Sequence, residues 1–200
     1  MSGPAANSGR PAVRVRPAAR HEFDRVADLV ERGFRHGPYG HLPVSAIRRA
    51  LVRDSAGRAA SGSLLVAVDD PAPEAGAAEV PLLGTASLLR AGASGSRLAV
   101  PGEVELRLIA VDPDARGRGI GEALVRTALA VAAQWGADAV VLDTGSLNLS
   151  AQRLYERVGF QRLRDRLPKG LGGPGSPDAI PPVVYSFALP VQPTAGLKRK

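Results

Sequence analysis

The sequence predicts an α+β (mixed α/β) domain, in which a central mixed sheet of about six to seven strands is flanked by about four helices. Three observations lead to this prediction. Apolar runs of strand length alternate along the chain with segments whose apolar residues follow helical spacing. Their order combines antiparallel hairpins with one strand–helix–strand crossover. The 200 residues are 44% hydrophobic and 22% charged, a composition that can build a core and is not that of a disordered chain.

The N-terminal half of the chain predicts one strand, two helices and two further strands. Residues Val13–Arg16 alternate apolar and basic side chains, as a strand does. Phe23, Val26 and Val30 lie at helical spacing, and Gly33 is predicted to end that helix. The predicted elements are a strand at 13–16, helices at 21–33 and 44–53, and strands at 64–68 and 82–89.

The C-terminal half alternates strands and helices more regularly. Ile120, Leu124 and Ala128 fall on one face of a predicted helix that Gly136 should end, and Gly159 should end the next helix. A connection rich in Pro and Gly separates the last two strands. The predicted elements are strands at 103–111, 139–142, 160–163 and 183–189, and helices at 119–135 and 148–158.

Composition excludes several classes of protein. The chain has no cysteine, which rules out a disulfide framework, thiol catalysis and thiolate metal sites. Its three histidines (His21, His36 and His41) are too few and too clustered to predict a metal centre. No apolar run approaches the ~18 residues of a membrane-spanning helix, and the N-terminus does not resemble a signal peptide. We therefore expect a soluble, cytoplasmic protein with neither a metal nor a membrane partner.

The net charge of +7 is located at the two ends of the chain. Residues 1–20 carry four arginines and residues 190–200 carry three basic residues, with no acidic residue in either stretch. We interpret residues 1–12 and 191–200 as solvated basic tails, the first of them disordered, around a single domain at 13–190. Nucleic acid is consequently not an expected partner, although binding through the tails is a hypothesis that salt dependence would test.

The most informative segment is the turn at 116–121, which has glycine at alternate positions and runs into a helix. The first amides of a helix have no partner within it and lie at the positive end of its dipole. Arg116 and Arg118 add cations beside them, so the segment predicts a diphosphate site. The alternatives are an ordinary glycine-rich turn or a dinucleotide fold with Asp143 on the ribose. A Walker loop is excluded because Glu122 follows the last glycine.

These residues resemble the GNAT superfamily of acyl-CoA-dependent N-acyltransferases. The run Arg116-Gly117-Arg118-Gly119-Ile120-Gly121 matches the family's acyl-CoA motif, [Gln/Arg]-x-x-Gly-x-[Gly/Ala], position by position. A second signature follows with the family's spacing, in Asn148, Tyr155 and Gly159-Phe160. The resemblance is specific over 103–163 and implies a GNAT-like fold with an N-acetyltransferase domain at 13–190.

The resemblance also implies how acetyl-CoA, the acyl-donor substrate, would bind without a metal. The strand before the glycine loop would separate from its neighbour, and the pantetheine arm would bind backbone groups at Ile109 and Val111. An N–H near Ala110 would stabilise the oxyanion of the thioester. The diphosphate would lie on the amides of 116–121. Asn148 would contact the cofactor, although a plain N-cap would explain it too.

Three side chains are candidates for the chemistry that the resemblance implies. A protonated amine must lose a proton before it can attack, so a general base is expected. Glu105 is one candidate, predicted on the face opposite Leu106 and Leu108, its alternative being a strand carboxylate paired with an arginine such as Arg107 or Arg90. Asp143 is the second candidate, with a turn acid as its alternative. Tyr155 would protonate the leaving thiolate, or is otherwise a packed aromatic residue.

The predicted activity is therefore acetyl transfer to an amine by direct attack in a ternary complex. By resemblance, the loop at 34–43 and the connection at 167–182 form the acceptor pocket, in which His36, Tyr39 and His41 are candidate contacts. A small-molecule acceptor is favoured. A peptide amine (a protein N-terminus or a lysine), a non-catalytic acyl-CoA-binding module and a homodimer stay open as alternatives.

Overall fold

The computed structural model describes residues 11–70, 80–168 and 180–190. In this part of the chain seven strands form one sheet, and five α-helices cover its two faces. The strands are β1 (Ala12–Pro17), β2 (Gly62–Asp70), β3 (Gly84–Arg90), β4 (Glu103–Val111), β5 (Ala139–Gly145), β6 (Gln161–Leu163) and β7 (Pro182–Ala188). The helices are α1 (Phe23–Arg35), α2 (Ala46–Arg53), α3 (Ser55–Ala60), α4 (Ile120–Gln134) and α5 (Leu149–Val158).

The predicted mixed architecture is confirmed, and every predicted strand and helix is present within a few residues of its expected bounds. One helix was missed. The six residues of α3 carry a weak apolar pattern, and their local signal is the side chain of Asp54, which accepts a hydrogen bond from the amide of Gly57. The tails at 1–10 and 191–200 lie outside the described residues, while β1 begins at Ala12, one residue before the expected domain boundary.

The sheet has the order β1-β2-β3-β4-β5-β7-β6, and β4 and β5 are its one parallel pair in the described chain. That pairing is short, because it joins only Glu103–Glu105 to Ala139–Val141. Beyond it, β4 continues to Val111 bonded only to β3, and β5 continues to Gly145 bonded only to β7. The two central strands therefore separate, and a wedge opens between their C-terminal ends.

A β-bulge in β4 changes which side chains face each side of the sheet. Ser87 pairs with Arg107 and Thr85 pairs with Ala110, so β4 has one residue more than β3 across this stretch. Leu108 lies in the bulge with a φ of +50°. Leu106 packs towards α4, whereas Leu108 packs towards α1. The expected placement of Glu105 opposite Leu106 is thus correct, but its placement opposite Leu108 is wrong, because the bulge reverses the alternation.

The helices form two layers, one on each face of the sheet. The larger core lies under α4 and α5, and smaller clusters lie under α1, α2 and the strands of the N-terminal half. Gly33 does not end α1 as expected, because the helix runs on to Arg35. A Cβ at Gly33 would lie 3.1 Å from the Cβ of Ala110, so this glycine brings α1 close to the bulged strand. Among the described helices, none has the length and apolar character needed to cross a membrane.

Candidate active site

The glycine loop places a group of backbone amides at the mouth of the wedge. Gly117 and Gly119 have φ values of +78° and +75°, and a Cβ at either would meet no atom within 4 Å. Glycine is therefore favoured at both positions because the backbone is left-handed there, and not because a side chain would clash. The first helical bond of α4 runs from the amide of Ala123 to the carbonyl of Gly119. In the described chain the amides of 117–122 have no acceptor, and no side chain caps this helix.

The two arginines of the loop face the protein. The Arg116 guanidinium donates to the carbonyls of Gly33 at 3.0 Å and His36 at 3.1 Å, which are at the C-terminal end of α1. Its own amide donates to Pro113 at 3.4 Å, so the free set begins at Gly117. Arg118 pairs with the carboxylate of Asp69 and donates to the carbonyl of Pro11. In this structure the two arginine side chains hold the loop in place, and its backbone amides are the groups available to bind an anion.

The loop, the end of β4 and helix α5 meet at one point. A Cβ at Gly121 would lie 3.2 Å from Leu154 of α5 and 3.8 Å from Val111. The side chains of Ile109 and Val111 are half-buried towards α4, and Ala110 packs towards α1. All three residues lie on the stretch of β4 that has no partner on its β5 side. The predicted pantetheine positions are therefore brought together beside the free amides.

Tyr155 follows Leu154 in α5, and its side chain lies in the core beneath the point where the glycine loop, β4 and α5 meet. Its side chain is 6% exposed, and its ring centroid is 5.8 Å from that of Tyr185 and 5.9 Å from that of Phe160. Burial raises the pKa of the Tyr155 hydroxyl well above its ordinary value, and the charge of Asp143 raises this pKa further. The hydroxyl has no hydrogen-bond partner in the described chain, unlike that of Tyr185, which donates to Glu156 at 2.8 Å. Tyr155 thus carries a protonated donor that the fold does not use.

Asn148 caps helix α5. Its side-chain oxygen accepts from the amide of Ala151 at 3.4 Å and from the hydroxyl of Ser150 at 3.1 Å. Its side-chain nitrogen donates to the hydroxyl of Thr144 at 3.3 Å, which links the cap to the end of β5. The contacts are those of the plain N-cap that the sequence left open.

Glu105 is fully buried and holds a loop. One carboxylate oxygen accepts from the hydroxyl of Ser96 at 2.8 Å, the amide of Arg97 at 2.7 Å and the amide of Leu98 at 2.8 Å. The other oxygen lies 3.3 Å from Nε of Arg107. This is the arginine-paired alternative that the sequence left open, and it shapes the segment between β3 and β4.

Five charged side chains gather where β4 and β5 separate, on the face away from α4. We call this group the charged cluster; its members are Arg48, Arg97, Arg107, Glu105 and Asp143. Asp143 accepts from Arg97 at 2.7 Å and keeps 13% of its side chain exposed. Burial lowers the pKa of Arg107; the charge of Glu105 opposes this shift and that of Arg97 adds to it. The three arginines outnumber the two carboxylates by one charge.

The arginines are the part of the site that sequence reasoning did not find as a group. Arg48 lies on α2, Arg97 on the β3–β4 loop and Arg107 in β4, so only folding brings them together. The sequence signal was slight, since all three are single residues in an arginine-rich chain. Groups of His, Asp and Glu with the arrangement of a metal site are absent from the described residues.

The loop after α1, which the sequence predicts as a wall of the acceptor pocket, reaches across the wedge. The hydroxyl of Tyr39 accepts from the amide of Leu147 at 2.5 Å, and its ring lies against Gly145 at the end of β5. His36 has its Nδ1 2.9 Å from the carbonyl of Arg32, and His41 is exposed. Tyr39 is therefore the candidate that bridges the two sides. Most of the other expected wall, at 169–179, lies outside the described residues.

Comparison with known sequences agrees with this geometry. The model of the acetyltransferase (GNAT) family matches residues 24–160. N-acetyltransferase 8B of Homo sapiens is 46% identical over 59 residues, which is 30% of this chain and 26% of the relative. Mycothiol acetyltransferase of Cellulomonas flavigena is 38% identical over 95 residues, 46% of this chain and 27% of the relative. The chain thus spans about a quarter of the length of the curated relatives it matches.

Solved structures share the fold. A GNAT-family acetyltransferase of Staphylococcus aureus Mu50 has a TM-score of 0.66 at 16% identity, covering 90% of this chain and 100% of the other. The PaiA N-acetyltransferase of Thermoplasma acidophilum, solved with coenzyme A, has a TM-score of 0.60 at 12% identity, covering 88% and 99%. At these identities the likeness establishes the architecture.

Proposed function

Because the chain belongs to the acetyltransferase (GNAT) family, we propose that it moves an acetyl group from acetyl-CoA to the primary amine of a small molecule. Both substrates are bound together, and the amine attacks the thioester directly. One observation carries this proposal. Pairing between β4 and β5 stops at Glu105 and Val141, which opens a wedge from the uncapped end of α4 to the charged face of the sheet.

The donor half of the wedge suits acetyl-CoA. The amides of 117–122 and the dipole of the 15-residue helix α4 favour the diphosphate. The pantetheine arm extends the sheet along Ile109–Val111, where β4 lacks a partner. A free N–H of this stretch stabilises the oxyanion formed on attack. In the Thermoplasma acidophilum relative of the same fold, the bound molecule is coenzyme A.

The transfer step needs one proton donor, and Tyr155 supplies it. The amine nitrogen forms a bond to the carbonyl carbon, the carbon–sulfur bond breaks, and the sulfur takes the proton of the Tyr155 hydroxyl. The phenoxide is then reprotonated by the proton that the amine has lost. A phenol near ~10 and a thiol near ~8.5 differ by about 2 kcal/mol, and the raised pKa of Tyr155 increases that difference, so the step relies on proton transfer within a desolvated site.

The two carboxylates have different parts in this proposal. Asp143 is partly exposed at the level where β4 and β5 separate, and it takes the proton of the amine. Glu105 is fully buried with three donors on one oxygen, and it acts as a positioning residue for 96–98. The surplus positive charge of the cluster disfavours the ammonium form of a bound amine, which also helps deprotonation.

A small acceptor is favoured over a protein because of the charge and enclosure of the acceptor side. A surplus of arginine repels the lysine-rich segments that a lysine acetyltransferase binds. Tyr39 bridges the wedge from the α1 side to Leu147. Both features suit a compact molecule that enters alone.

The direct test follows free thiol released from acetyl-CoA in the presence of a panel of amines, with each product identified by mass. The panel holds amino acids, polyamines, aminoglycosides, and peptides with free N-termini or lysines. Transfer to small amines supports the proposal, and transfer to peptides alone would replace it with a protein acetyltransferase. Calorimetric binding of acetyl-CoA with no transfer to any amine would instead identify a non-catalytic module. No binding of acetyl-CoA would refute both.

A further inference from the structure

The charged cluster contains one arginine without an acidic partner. Arg107 lies 3.3 Å from Glu105, and Arg97 donates to Asp143 at 2.7 Å. Arg48 forms no ion pair in the described chain, and its guanidinium makes no hydrogen bond there. A guanidinium that keeps all its N–H donors free, beside a cluster with a surplus positive charge, is a site for an anion.

The position of Arg48 points it to the acceptor side of the wedge. Its guanidinium carbon lies 4.8 Å from the ring centroid of Phe34, at the end of α1. Phe34 packs in turn against the cluster that contains Leu108 and Ala110, on the separated part of β4. The stacking on Phe34 holds the planar guanidinium next to the strand where the thioester is proposed to lie.

Neighbouring charges support this placement. Arg48 is exposed, but partial desolvation of its guanidinium by the surrounding residues lowers its pKa, the charge of Arg97 lowers it further, and the charge of Asp143 opposes the shift. Arg48 is therefore close enough to both partners of that ion pair to be affected by them. An anion at Arg48 would relieve the repulsion between the arginines.

The charge of the cluster selects the kind of anion. The surplus is a single positive charge, which one carboxylate neutralises, whereas a phosphate monoester carries about −1.5 to −2 at neutral pH. A carboxylate also matches the planar fork of a guanidinium with two parallel hydrogen bonds. One carboxylate close to one primary amine describes an amino acid.

We propose that the acceptor is an amino acid and that Arg48 binds its carboxylate while the amine faces the separated end of β4. This inference rests on the proposed function, because it assigns the acceptor of the same site. The carboxylate then fixes the direction in which the amine enters, and Asp143 takes the proton of that amine.

The experiment compares each common amino acid with its C-terminal amide as an acceptor of acetyl from acetyl-CoA. In the wild type we expect kcat/KM to be at least about 10-fold higher for the acid of a preferred pair, because the amide lacks the charged partner of Arg48. Arg48→Gln should remove this preference through KM for the amino acid, with kcat nearly unchanged. Arg48→Lys, which keeps the charge without the fork, should restore part of it.

Arg49→Gln is the matched control, because Arg49 is the neighbouring arginine on α2, is exposed as Arg48 is, and donates only to the carbonyl of Val44. It should keep the wild-type preference. Equal transfer to acids and amides, or a preference that survives Arg48→Gln, would overturn the inference while leaving the proposed function in place. Absence of transfer to every amine tested would overturn the two together, and binding of acetyl-CoA by calorimetry would show that the protein is folded.

Discussion

The sharpest test of the donor site compares two variants, Gly119→Asn and Gly119→Asp, whose new side chains have nearly the same shape. Gly119 has a φ of +75° at the N-terminal end of α4, and a Cβ there would meet no atom within 4 Å. Asparagine and aspartate both tolerate a left-handed backbone better than other side chains, so each should fold with a cost of ~1 kcal/mol. The two variants differ only by a negative charge beside the free amides of 117–122.

That charge determines the expected magnitude. Two unit charges ~4 Å apart repel by about 1 kcal/mol in water and about 4 kcal/mol at an effective dielectric of 20. Gly119 is exposed, so we expect Gly119→Asp to weaken acetyl-CoA binding by about 1–3 kcal/mol relative to Gly119→Asn, which is a rise in Kd of about 5- to 150-fold.

The assay is isothermal titration of both variants with CoA and acetyl-CoA at low and high salt. The Debye length falls from ~10 Å at 0.1 M to ~3 Å at 1 M salt, so the gap between the variants should narrow at high salt. Equal affinity of the two variants would refute the assignment of the diphosphate to this loop. A gap that does not respond to salt would show that the effect is not electrostatic.

The remaining predictions concern Tyr155, Glu105 and Glu22, whose contacts distinguish a catalytic role from a structural one. Tyr155→Phe should lower kcat about 10-fold or more and leave Kd for CoA and Tm unchanged, whereas Tyr185→Phe should lower Tm, because only Tyr185 has a hydrogen bond to lose. In the wild type the raised pKa of Tyr155 keeps this acid protonated, so kcat should not decrease as the pH is raised to ~10. Glu105→Gln should raise KM for the amine without moving the pH–rate profile, as expected of a positioning residue. Glu22→Gln should lower the urea-derived free energy of unfolding by about 1–3 kcal/mol at pH 7 and by less at pH ~3, because the hydrogen bonds from Arg16 lower the pKa of Glu22 and their stabilisation is lost as pH falls through that lowered value.

Each of these predictions has an outcome that contradicts it. Wild-type turnover in Tyr155→Phe would remove the acid role. A shifted acidic limb in Glu105→Gln would return the base role to Glu105, and an unchanged limb in Asp143→Asn would take it from Asp143. If the unfolding free energy of Glu22→Gln depends on pH between ~3 and 7 as strongly as that of the wild type, the Arg16–Glu22 pair is not the acid-sensitive contact.

The local elements and the glycine loop were predictable from the sequence because their causes are local. Helix ends at Gly136 and Gly159 follow from the left-handed backbone that both residues adopt, with φ values of +70° and +111°. The amides at 119–122 are free because a helix always leaves its first four N–H groups without internal partners, and those of 117 and 118 lie in the glycine loop just before it. The family resemblance added the expectation that β4 and β5 separate, and the short pairing register of the sheet confirms it.

Only the tertiary structure determines which side chains lie beside the wedge. The bulge at Leu108 depends on pairing with β3, so no alternation pattern in β4 alone could place that residue. The sequence predicted the loop arginines beside the phosphates, and the fold adds that the carbonyls at the end of α1 and the carboxylate of Asp69 accept hydrogen bonds from their guanidinium groups. Arg48 and Arg107 are 59 positions apart, and their charges interact only because α2 packs against α1 beside the end of β4. The electrostatic potential of a folded site depends on the distances between its charges in space, whereas the sequence gives only the order of those charges along the chain.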